Sequence, residues 1–309
     1  METIKIKTPA TIANLVCGFD ILGLCLEEPC DTMQVTLLNE RKVVIKSTDN
    51  FPLPDDPRMN TAGAPLLEIM NSVQDEIGFE VNIEKNIKPG SGLGSSAASA
   101  AGAVVAANHL LGNRYSKHEQ VSFAMHGEKL ASGVKHADNV SPVIFGGITL
   151  IRCIFPLDII SIPAPPLFIT IVHPQIEVRT ADARQILRKE VLLKDAIRQW
   201  GNIAGLVTGL MKQDYDLIGR SLEDVIIEPV RSILIPGFDQ IKKQCREAGA
   251  LGGGISGSGP SIFMLSMDEV TALQLQVIMR SIYDRIGLHY HTYVTTLNKN
   301  GCTIESAHK

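Results

Sequence analysis

Alternation between hydrophobic and polar positions predicts most of the strands in this chain. Residues 4–7 and 79–87 alternate with period two, which is typical of half-buried strands. Residues 33–38 and 42–47 predict two more strands, joined by a polar turn. Further apolar or alternating runs predict strands over residues 143–154, 167–173, 261–265 and 289–294.

Helical spacing of apolar residues distinguishes other segments. The spacing predicts helices over residues 60–76, 116–131 and 268–286. A run of Ala, Gly, Ser and Val predicts a closely packed helix over residues 97–107, and we expect a further long helix over residues 194–212. Ser116 and Glu119 have the spacing of a capping box at the start of the helix over residues 116–131. In the helix over residues 268–286 we expect Leu273, Val277 and Ile282 to form one apolar face. The chain therefore mixes helices and strands throughout.

The length and the prolines indicate two domains. A chain of 309 residues is long for a single hydrophobic core. Four prolines fall within residues 156–166, so we expect domains over residues 1–155 and 156–309. Hydrophobic residues make up 45% of the chain and charged residues 20%, which is ordinary for a globular protein.

The charge and the cysteine content limit the classes of function that this chain could have. The net charge of −4 gives nucleic-acid binding no electrostatic support, so we expect no nucleic-acid partner. We expect no membrane association, because no apolar run approaches the roughly 18 residues of a spanning helix. The start of the chain lacks an apolar signal region, and the six cysteines form no Cys-x-x-Cys pair. These features favour a cytoplasmic protein with reduced thiols.

A glycine-rich loop before the alanine-rich helix is the first candidate site. Glycines let the backbone approach a ligand closely, and a helix N-terminus favours phosphate. Ser95 or Ser96 is expected to cap the first turn of the helix. The loop is neither a Walker A nor a Rossmann sequence, and a turn that merely allows close helix packing remains an alternative. The residues expected to hold a nucleotide here are Pro89, Gly90, Ser91, Gly92, Leu93, Gly94, Ser95, Ser96, Ala97, Ala98 and Ser99.

Three further stretches carry polar residues in places typical of sites. Asn14 and Asp20 lie in a segment rich in apolar residues and glycine, where they either line a site or bond a tight turn. His136, Asp138 and Asn139 precede a predicted strand. Residues 251–261 contain Gly-x-Gly-x-x-Gly, but a strand follows instead of a helix, which excludes a dinucleotide-binding turn.

These stretches resemble the GHMP kinases, and homoserine kinases in particular. Gly-Leu-Gly-Ser-Ser-Ala-Ala resembles the second motif of the superfamily, residues 9–23 resemble the first motif of homoserine kinases, and residues 251–261 resemble the third. His-Ala-Asp-Asn-Val is similar to the homoserine kinase form. In the first motif, Val16 and Cys17 replace the usual Gly and Pro.

The resemblance implies a fold and a reaction. The fold is α+β, with an N-terminal ribosomal-S5-like domain and a C-terminal ferredoxin-like domain, commonly paired into homodimers. The reaction is transfer of the γ-phosphoryl group of ATP to the side-chain hydroxyl of L-homoserine, a step of threonine biosynthesis. Two alternatives stay open: a related kinase acting on mevalonate, a diphosphocytidyl alcohol or a sugar, and a binding protein without catalytic activity.

The resemblance also assigns roles to residues. Ser96 and Glu128 hold Mg²⁺, whereas spacing alone makes Glu128 a solvated surface charge. Asp138 matches the general base of mevalonate kinases, although Asn139 could take its place, and the existence of a side-chain base stays open. Asn60 either contacts the nucleotide or caps a helix. The residues matched to the amino-acid substrate are Asn14, Asp20, His136, Thr180, Arg184 and Arg231.

Overall fold

Two β-sheets with helices packed on them form the chain. The computed structural model describes residues 2–47, 51–178 and 180–308, without the side chains of residues 47, 180–182 and 308. The strands are β1 (Thr3–Ala13), β2 (Leu22–Leu38), β3 (Val43–Ser47), β4 (Gly78–Glu84), β5 (Ile148–Ile154), β6 (Leu157–Ile162), β7 (Phe168–Pro174), β8 (Gly252–Ile255), β9 (Ile262–Ser266), β10 (Tyr290–Thr296) and β11 (Thr303–His308).

Ten α-helices lie in the described part of the chain. They are α1 (Gly63–Ser72), α2 (Ser95–Leu110), α3 (Lys117–Ser132), α4 (Val140–Phe145), α5 (Thr180–Gln185), α6 (Leu193–Lys212), α7 (Tyr215–Ser221), α8 (Glu228–Arg231), α9 (Phe238–Glu247) and α10 (Glu269–Ile286). The capping box predicted at the start of α3 is present, with Ser116 and Glu119 each bonding the other's backbone. Among the described residues, none of the helices combines the length and apolar character that crossing a membrane requires.

The first sheet has seven strands and is mainly antiparallel. Its order is β11-β1-β2-β4-β3, and β5 pairs with the start of β2 and with β6. The strand predicted over residues 33–38 is the end of the 17-residue β2, which is long enough to pair with β1, β4 and β5. The strand predicted over residues 42–47 does not pair with β2, but runs parallel to β4.

Helix α2 packs directly on the first sheet because its side chains are small. Thirteen of its 16 residues are buried, and most of these are alanine, glycine or serine. A Cβ atom at Gly102 would lie 2.2 Å from Cγ2 of Thr8 on β1, so a larger residue would push the helix away. The close fit fixes the start of α2, and hence the glycine-rich loop, against β1.

The second sheet has four strands in the order β10-β7-β9-β8, with α9 and α10 packed on it. The apolar face expected for α10 is wrong in part. Ile282 is buried, but Leu273 and Val277 are 48% and 66% exposed. The buried face of α10 instead includes Leu275 and Met279. This helix is apolar on two sides, so the periodicity of its sequence does not identify the side that packs.

The strand predicted over residues 143–154 is also wrong at its start. Residues 140–145 form the short helix α4, and the strand begins only at Ile148. The amide of Gly146 donates to the carbonyl of Pro142, and Gly146 and Gly147 both have positive φ. A continuous apolar run is therefore divided by two glycines that reverse the backbone.

Strand pairing crosses the predicted domain boundary. β6, which follows residue 155, pairs antiparallel with β5 in the first sheet. β11, at the end of the chain, returns to pair with β1. The division into residues 1–155 and 156–309 stays a prediction, but two strands after residue 155 contribute hydrogen bonds to the first sheet.

Candidate active site

A cavity of about 540 Å³ lies where the two glycine-rich loops meet. Its walls come from β1, the start of α2, α3, α5, α8 and the loop after β8. Residues separated by more than 200 positions in the sequence therefore surround one space. The predicted site residues that line it are Asn14, Asp20, Asn60, Pro89, Gly90, Gly92, Gly94, Ser95, Ser96, Ser99, Glu128, His136, Asp138, Asn139, Arg184 and Arg231.

The start of α2 opens toward this cavity without a capping side chain. Gly94 is the N-cap residue, with a left-handed φ of 67°, which glycine adopts at little cost. The expected cap by Ser95 or Ser96 is wrong, because Ser95 Oγ donates instead to the carbonyl of Ile87 at 2.7 Å. The amide groups of the first turn are thus left for another acceptor, which makes this end of the helix suited to an anion.

Other members of the loop have their side chains inside the protein. Ser91, Leu93, Ala97 and Ala98 are buried, and Leu93 and Ala98 belong to a hydrophobic core cluster. Ser91 Oγ accepts a hydrogen bond from the amide of Leu93 at 3.2 Å. These residues shape the loop, whereas the atoms that face the cavity come from their neighbours.

The second glycine-rich loop packs on the first. Ser256 Oγ donates to the carbonyl of Gly92 at 2.7 Å, and the amide of Ser261 donates to the carbonyl of Ser91 at 3.2 Å. The amide of Gly257 donates to the carbonyl of Ala13 at 3.4 Å. The loop after β8 therefore joins the phosphate-loop candidate to the end of β1.

Asn14 both lines the cavity and bonds the turn between β1 and β2. Its Oδ1 accepts the amide proton of Asp20 at 3.0 Å, and its Nδ2 donates to the carbonyl of Gly257 at 3.0 Å. Asn14, Leu15 and Val16 have φ values of 74°, 41° and 66°. Three successive left-handed residues, one of them β-branched, are an unusual backbone that the surrounding contacts hold in place.

Glu128, His136 and Asp138 form a buried charged cluster. His136 Nδ1 lies 2.9 Å from Asp138 Oδ1 and 3.5 Å from Glu128 Oε2, and its Nε2 lies 2.9 Å from Ser132 Oγ. Burial lowers the pKa of His136, but the hydrogen bond and charge of Asp138 and the charge of Glu128 outweigh it and raise the pKa to about 9. The imidazole is therefore positively charged at neutral pH.

Glu128 is not a surface residue. Only 2% of it is exposed, so the alternative of a solvated surface charge is wrong. Burial raises the pKa of its carboxyl, whereas His136 and the hydroxyl of Ser96 lower it. Its Oε1 atom is buried and has no hydrogen-bond partner among the described residues. A buried carboxylate oxygen of this kind, next to a hydroxyl, is suited to a hard cation.

The described residues contain no group of three His, Cys, Asp or Glu side chains placed to hold a metal ion. A cation bound at Ser96 and Glu128 would thus need oxygen ligands from outside the protein. Phosphate oxygens and water are the usual ligands that complete a Mg²⁺ site of this type.

A second charged cluster surrounds Phe19. Arg184 makes a bidentate pair with Asp20, with Nη1–Oδ2 and Nη2–Oδ1 distances of 3.1 and 3.0 Å. Arg231 donates from Nε to the carbonyl of Ala183 and from Nη1 to that of Gly257. Its guanidinium carbon lies 5.1 Å from the centre of the Phe19 ring, and that of Arg184 lies 5.7 Å away. The pairing of Asp20 with Arg184 was not predicted.

The two arginines differ in how deeply they are buried. Arg231 is only 4% exposed, and burial lowers the pKa of its guanidinium. Arg184 keeps 29% of its side chain exposed. Thr180, predicted at the same site, begins α5, but its side chain lies outside the part of the chain that the structure describes.

Asn60 contributes to the wall as a capping residue. Its Oδ1 accepts from the amides of Ala62 and Gly63 just ahead of the first turn of α1, and its Nδ2 donates to the carbonyl of Pro54. Asn60 therefore caps the helix, which is one of the two alternatives that the sequence left open. Because Asn60 is also part of the cavity lining, a nucleotide contact stays a prediction.

Two residues near the loop were missed by the sequence analysis. Lys85 is 4% exposed, pairs with Asp31, and donates to the carbonyl of Ser95 at 3.0 Å and to Ser99 Oγ at 3.1 Å. A signal was present, because the alternation of residues 79–87 places Lys85 on the buried face of the strand. Thr11 Oγ1 donates to Asn139 Oδ1 at 2.7 Å, and a lone threonine in a strand gives no comparable signal.

Comparison with known proteins identifies the family of this chain. The GHMP kinases N terminal domain family matches residues 64–147, and the GHMP kinases C terminal family matches residues 206–285. A homoserine kinase from Chlorobium phaeobacteroides is 43% identical over 98% of this chain and 100% of its own length.

Solved structures give the same result for the fold. The crystal structure of homoserine kinase from Cytophaga hutchinsonii has a TM-score of 0.93 and 46% identity, and the match covers 98% of this chain and 97% of that one. The L. major mevalonate kinase structure has a TM-score of 0.71 over 96% of each chain, but at 14% identity it shows a shared fold alone. The predicted α+β GHMP kinase fold is confirmed, and the chain belongs to the homoserine kinase family of GHMP kinases.

Proposed function

We propose that this chain transfers the γ-phosphoryl group of ATP to the side-chain hydroxyl of L-homoserine, and that it does so in the cytoplasm as a step of threonine biosynthesis. The observation that carries the proposal is the cavity itself. The cavity is lined both by an uncapped helix N-terminus and by two arginines with an aspartate. The relatives of similar length that this chain resembles are homoserine kinases. A phosphate donor and a zwitterionic acceptor thus have complementary groups within one space.

The backbone of the phosphate loop holds the ATP. The amide groups of residues 90–96 that are not already bonded within the loop, as those of Ser91 and Leu93 are, would bind the β- and γ-phosphates together with the partial positive charge of α2. Lys85 stabilises the loop, because its ammonium group donates a hydrogen bond to the carbonyl of Ser95. The loop after β8 stabilises the conformation of the phosphate loop through the hydrogen bond from Ser256 Oγ to the carbonyl of Gly92.

Ser96 and Glu128 would hold Mg²⁺ together with phosphate oxygens. The unpartnered Oε1 atom of Glu128 supports this assignment. When bound, Mg²⁺ neutralises charge on the phosphate oxygens during phosphoryl transfer. His136 balances part of the charge of Glu128, and Asp138 keeps His136 in place through a 2.9 Å hydrogen bond.

The charged cluster around Phe19 binds the acceptor. Homoserine carries a carboxylate, an ammonium group and the reacting hydroxyl. The carboxylate is bound by Arg231 and Arg184, because guanidinium groups make paired hydrogen bonds with carboxylates. The ammonium group is bound by Asp20, whose carboxylate already faces Arg184 and would then be shared between two cations. Asn14, His136 and Thr180 orient the rest of the substrate.

Positioning, more than a side-chain base, activates the acceptor hydroxyl. Asn139 is a neutral amide, and its Oδ1 already accepts a hydrogen bond from Thr11. Asp138 Oδ1 already accepts from His136 and from the amide of Asn139. We therefore assign Asn139 to orienting the hydroxyl toward the γ-phosphorus and Asp138 to holding His136.

A substrate panel tests the proposal. ATP consumption is measured with L-homoserine, L-serine, L-threonine and mevalonate at equal concentrations. We expect the highest kcat/KM with L-homoserine. Mevalonate has no ammonium group to match Asp20, and the relatives that this chain resembles over its full length are homoserine kinases. A preference for mevalonate would favour the related-kinase alternative. An absence of ATP turnover with every acceptor, while ATP still binds, would identify a binding protein.

A further inference from the structure

Thr11 lies where β1 meets the phosphate loop. β11 pairs with β1 from Thr3 to Lys7, and further along the strand the amide of Thr11 donates to the carbonyl of Leu93 at 3.1 Å. The pairing of β1 with β2 shifts in register between Pro9 and Thr11, and irregularities of this kind redirect side chains next to sites. The backbone of Thr11 is therefore fixed to the loop on which we expect the nucleotide to bind.

The side chain of Thr11 contacts two groups at the edge of the cavity. Its Oγ1 donates to Oδ1 of Asn139 at 2.7 Å. A Cβ atom added to Gly94 would lie 2.0 Å from Thr11 Oγ1 and 3.0 Å from Asn139 Oδ1. The hydrogen bond between Thr11 and Asn139 thus lies against Gly94, at the point where α2 begins. One buried side chain connects the phosphate loop with the residue assigned to orienting the acceptor hydroxyl.

The hydrogen bond from Thr11 also determines how the amide of Asn139 is turned. An amide side chain has one oxygen, which accepts hydrogen bonds, and one nitrogen, which donates them. Because Oδ1 faces Thr11, Nδ2 points away from it, and Asn139 lines the cavity. Nδ2 donates no hydrogen bond to any residue that the structure describes. Its two N–H groups are therefore available to a molecule bound in the cavity.

An N–H donor at this position suits the ligand groups expected beside it. The oxygen of an acceptor hydroxyl and the oxygens of a γ-phosphate both accept hydrogen bonds from N–H groups. A carbonyl oxygen in the same place would repel the phosphate oxygens. Within the described part of the chain, the other hydrogen bond of Asn139 comes from its backbone amide, which donates to Asp138 Oδ1 at 3.1 Å. Thr11 is thus the residue that fixes the side-chain amide.

We propose that Thr11 is a positioning residue for phosphoryl transfer. Its hydroxyl holds the amide of Asn139 with Nδ2 toward the acceptor, and its backbone keeps Asn139 at a constant distance from the phosphate loop. Thr11 is completely buried and is not among the residues that line the cavity, so it acts through Asn139. The proposal rests on the proposed function, because it takes Asn139 to orient the acceptor hydroxyl.

Two substitutions at Thr11 separate its hydroxyl from its shape. Thr11→Val replaces the hydroxyl by a methyl group of similar size and should lower kcat for L-homoserine about tenfold. The KM for ATP should stay within about threefold, because the backbone bond to Leu93 remains. Thr11→Ser keeps the hydroxyl and should recover most of kcat.

The matched control is Thr170→Val in the second sheet. Thr170 is also completely buried, and its hydroxyl donates to the carbonyl of Ala272 at 2.9 Å. We expect Thr170→Val to lower the thermal stability at least as much as Thr11→Val does and to leave kcat unchanged. The comparison separates loss of a buried hydrogen bond from loss of positioning.

A double-mutant cycle tests whether Thr11 acts through Asn139. The kcat for L-homoserine is measured for Thr11→Val, Asn139→Ala and the variant that combines them. The combined variant is expected to have a kcat within about twofold of Asn139→Ala alone, because the effects of two residues that act as a unit do not add. A purely structural role of Thr11 would lower kcat by the same factor in both backgrounds.

The side-chain amide signals of Asn139 test the orientation without any reaction. They are identified in the ¹H–¹⁵N spectrum by their absence from Asn139→Asp. The reference is Asn108, which is buried and whose Nδ2 donates to the carbonyl of Tyr115 at 3.1 Å. We expect the Nδ2 protons of Asn139 to exchange with water about tenfold faster or more than those of Asn108, because they face the cavity.

Several results would overturn the proposal. These are a wild-type kcat in Thr11→Val, a Thr11→Ser variant no more active than Thr11→Val, additive effects in the cycle, and Nδ2 protons of Asn139 that exchange as slowly as those of Asn108. Failure of the proposed function has a different signature, because the wild type would then not phosphorylate L-homoserine. In that case the cycle is run with the acceptor that the substrate panel identifies, and the same outcomes decide the role of Thr11.

Discussion

At the phosphate loop the cavity wall consists of backbone and small side chains, whereas around Phe19 it consists of charged side chains from three separate helices and turns. Gly90, Gly92 and Gly94 place amide groups at the surface of the first region. Asp20 and two arginines supply the second region. The first region therefore depends on the path of the chain, and the second on the identity of individual side chains.

This difference determines how each region responds to mutation. A backbone site is disturbed by an added Cβ atom and is insensitive to the loss of a distant charge. A side-chain site is disturbed by the loss of one charge, because its partner is left unpaired. Substitutions in the two regions should therefore separate into effects on ATP and effects on the amino acid, and residues between the regions should affect the chemical step.

The largest effect is expected at Glu128, which lies between the two regions. Glu128→Gln keeps the size of the side chain and removes its charge. We expect kcat to fall about 100-fold or more, since losing about 3 kcal/mol of transition-state stabilisation has that effect. Steady-state kinetics at saturating Mg²⁺ measure it. Glu247→Gln on the exposed end of α9 is the control. A Glu128→Gln variant within threefold of the wild type would remove Glu128 from the metal site.

The next effect is expected at Arg231, in the side-chain region. Arg231→Met should lower kcat/KM for L-homoserine about 30-fold, because a buried carboxylate without its cation loses about 2 kcal/mol or more. The KM for ATP should stay within about threefold. Arg246→Met is the control, because Arg246 also donates to a backbone carbonyl but is exposed. Equal losses for ATP and homoserine would indicate damage to the fold instead of a substrate contact.

A smaller effect is expected from one methyl group in the backbone region. A Cβ atom at Gly94 would lie 2.0 Å from Thr11 Oγ1 and 3.0 Å from Asn139 Oδ1. Gly94→Ala should therefore raise the KM for ATP about tenfold, as a loss of about 1.4 kcal/mol implies. The matched control is Gly133→Ala, whose φ of 80° gives the same backbone strain with no atom within 4 Å of the new Cβ. If Gly94→Ala and Gly133→Ala raise the KM for ATP by the same factor, backbone strain alone explains the increase.

The smallest effect is the pH dependence that His136 gives to folding. Its pKa is raised from about 6.5 to about 9, so the stability it contributes is complete below about pH 6.5 and is lost as the pH rises through 9. Between pH 7 and pH 8 the free energy of unfolding should fall by about 1 kcal/mol. Urea unfolding measures this slope. The variant His136→Asn should flatten it, and an unchanged slope would contradict the assignment.

The two regions also differ in how far the sequence predicts them. The phosphate loop is continuous in sequence, so its glycine spacing and the helix after it indicate an anion site without any relative. Its capping was predicted wrongly, because Ser95 has a nearer acceptor in the carbonyl of Ile87. The buried position of Lys85 follows from strand alternation, but its pairing with Asp31 depends on strand register that a single sequence does not contain.

The side-chain region could not be predicted from spacing. Asp20, Arg184 and Arg231 lie on three separate segments, and each arginine alone has the pattern of a surface charge. Only resemblance to homoserine kinases brought them together, and it did not indicate that Asp20 and Arg184 pair with each other. The same limit applies to α10, because apolar periodicity does not distinguish a face that packs on the sheet from one that is exposed.

The most direct test of the difference between the two regions compares L-homoserine with 4-hydroxybutanoate, which has the same carboxylate and hydroxyl but no ammonium group. The measurement is kcat/KM for both acceptors in the wild type and in Asp20→Asn, with the KM for ATP recorded in parallel. The wild type is expected to prefer L-homoserine by about 30-fold or more, and Asp20→Asn to lose most of that preference while its KM for ATP is unchanged. Equal kcat/KM values for the two acceptors in the wild type, or an undiminished preference in Asp20→Asn, would contradict the assignment of Asp20 to the ammonium group of the acceptor.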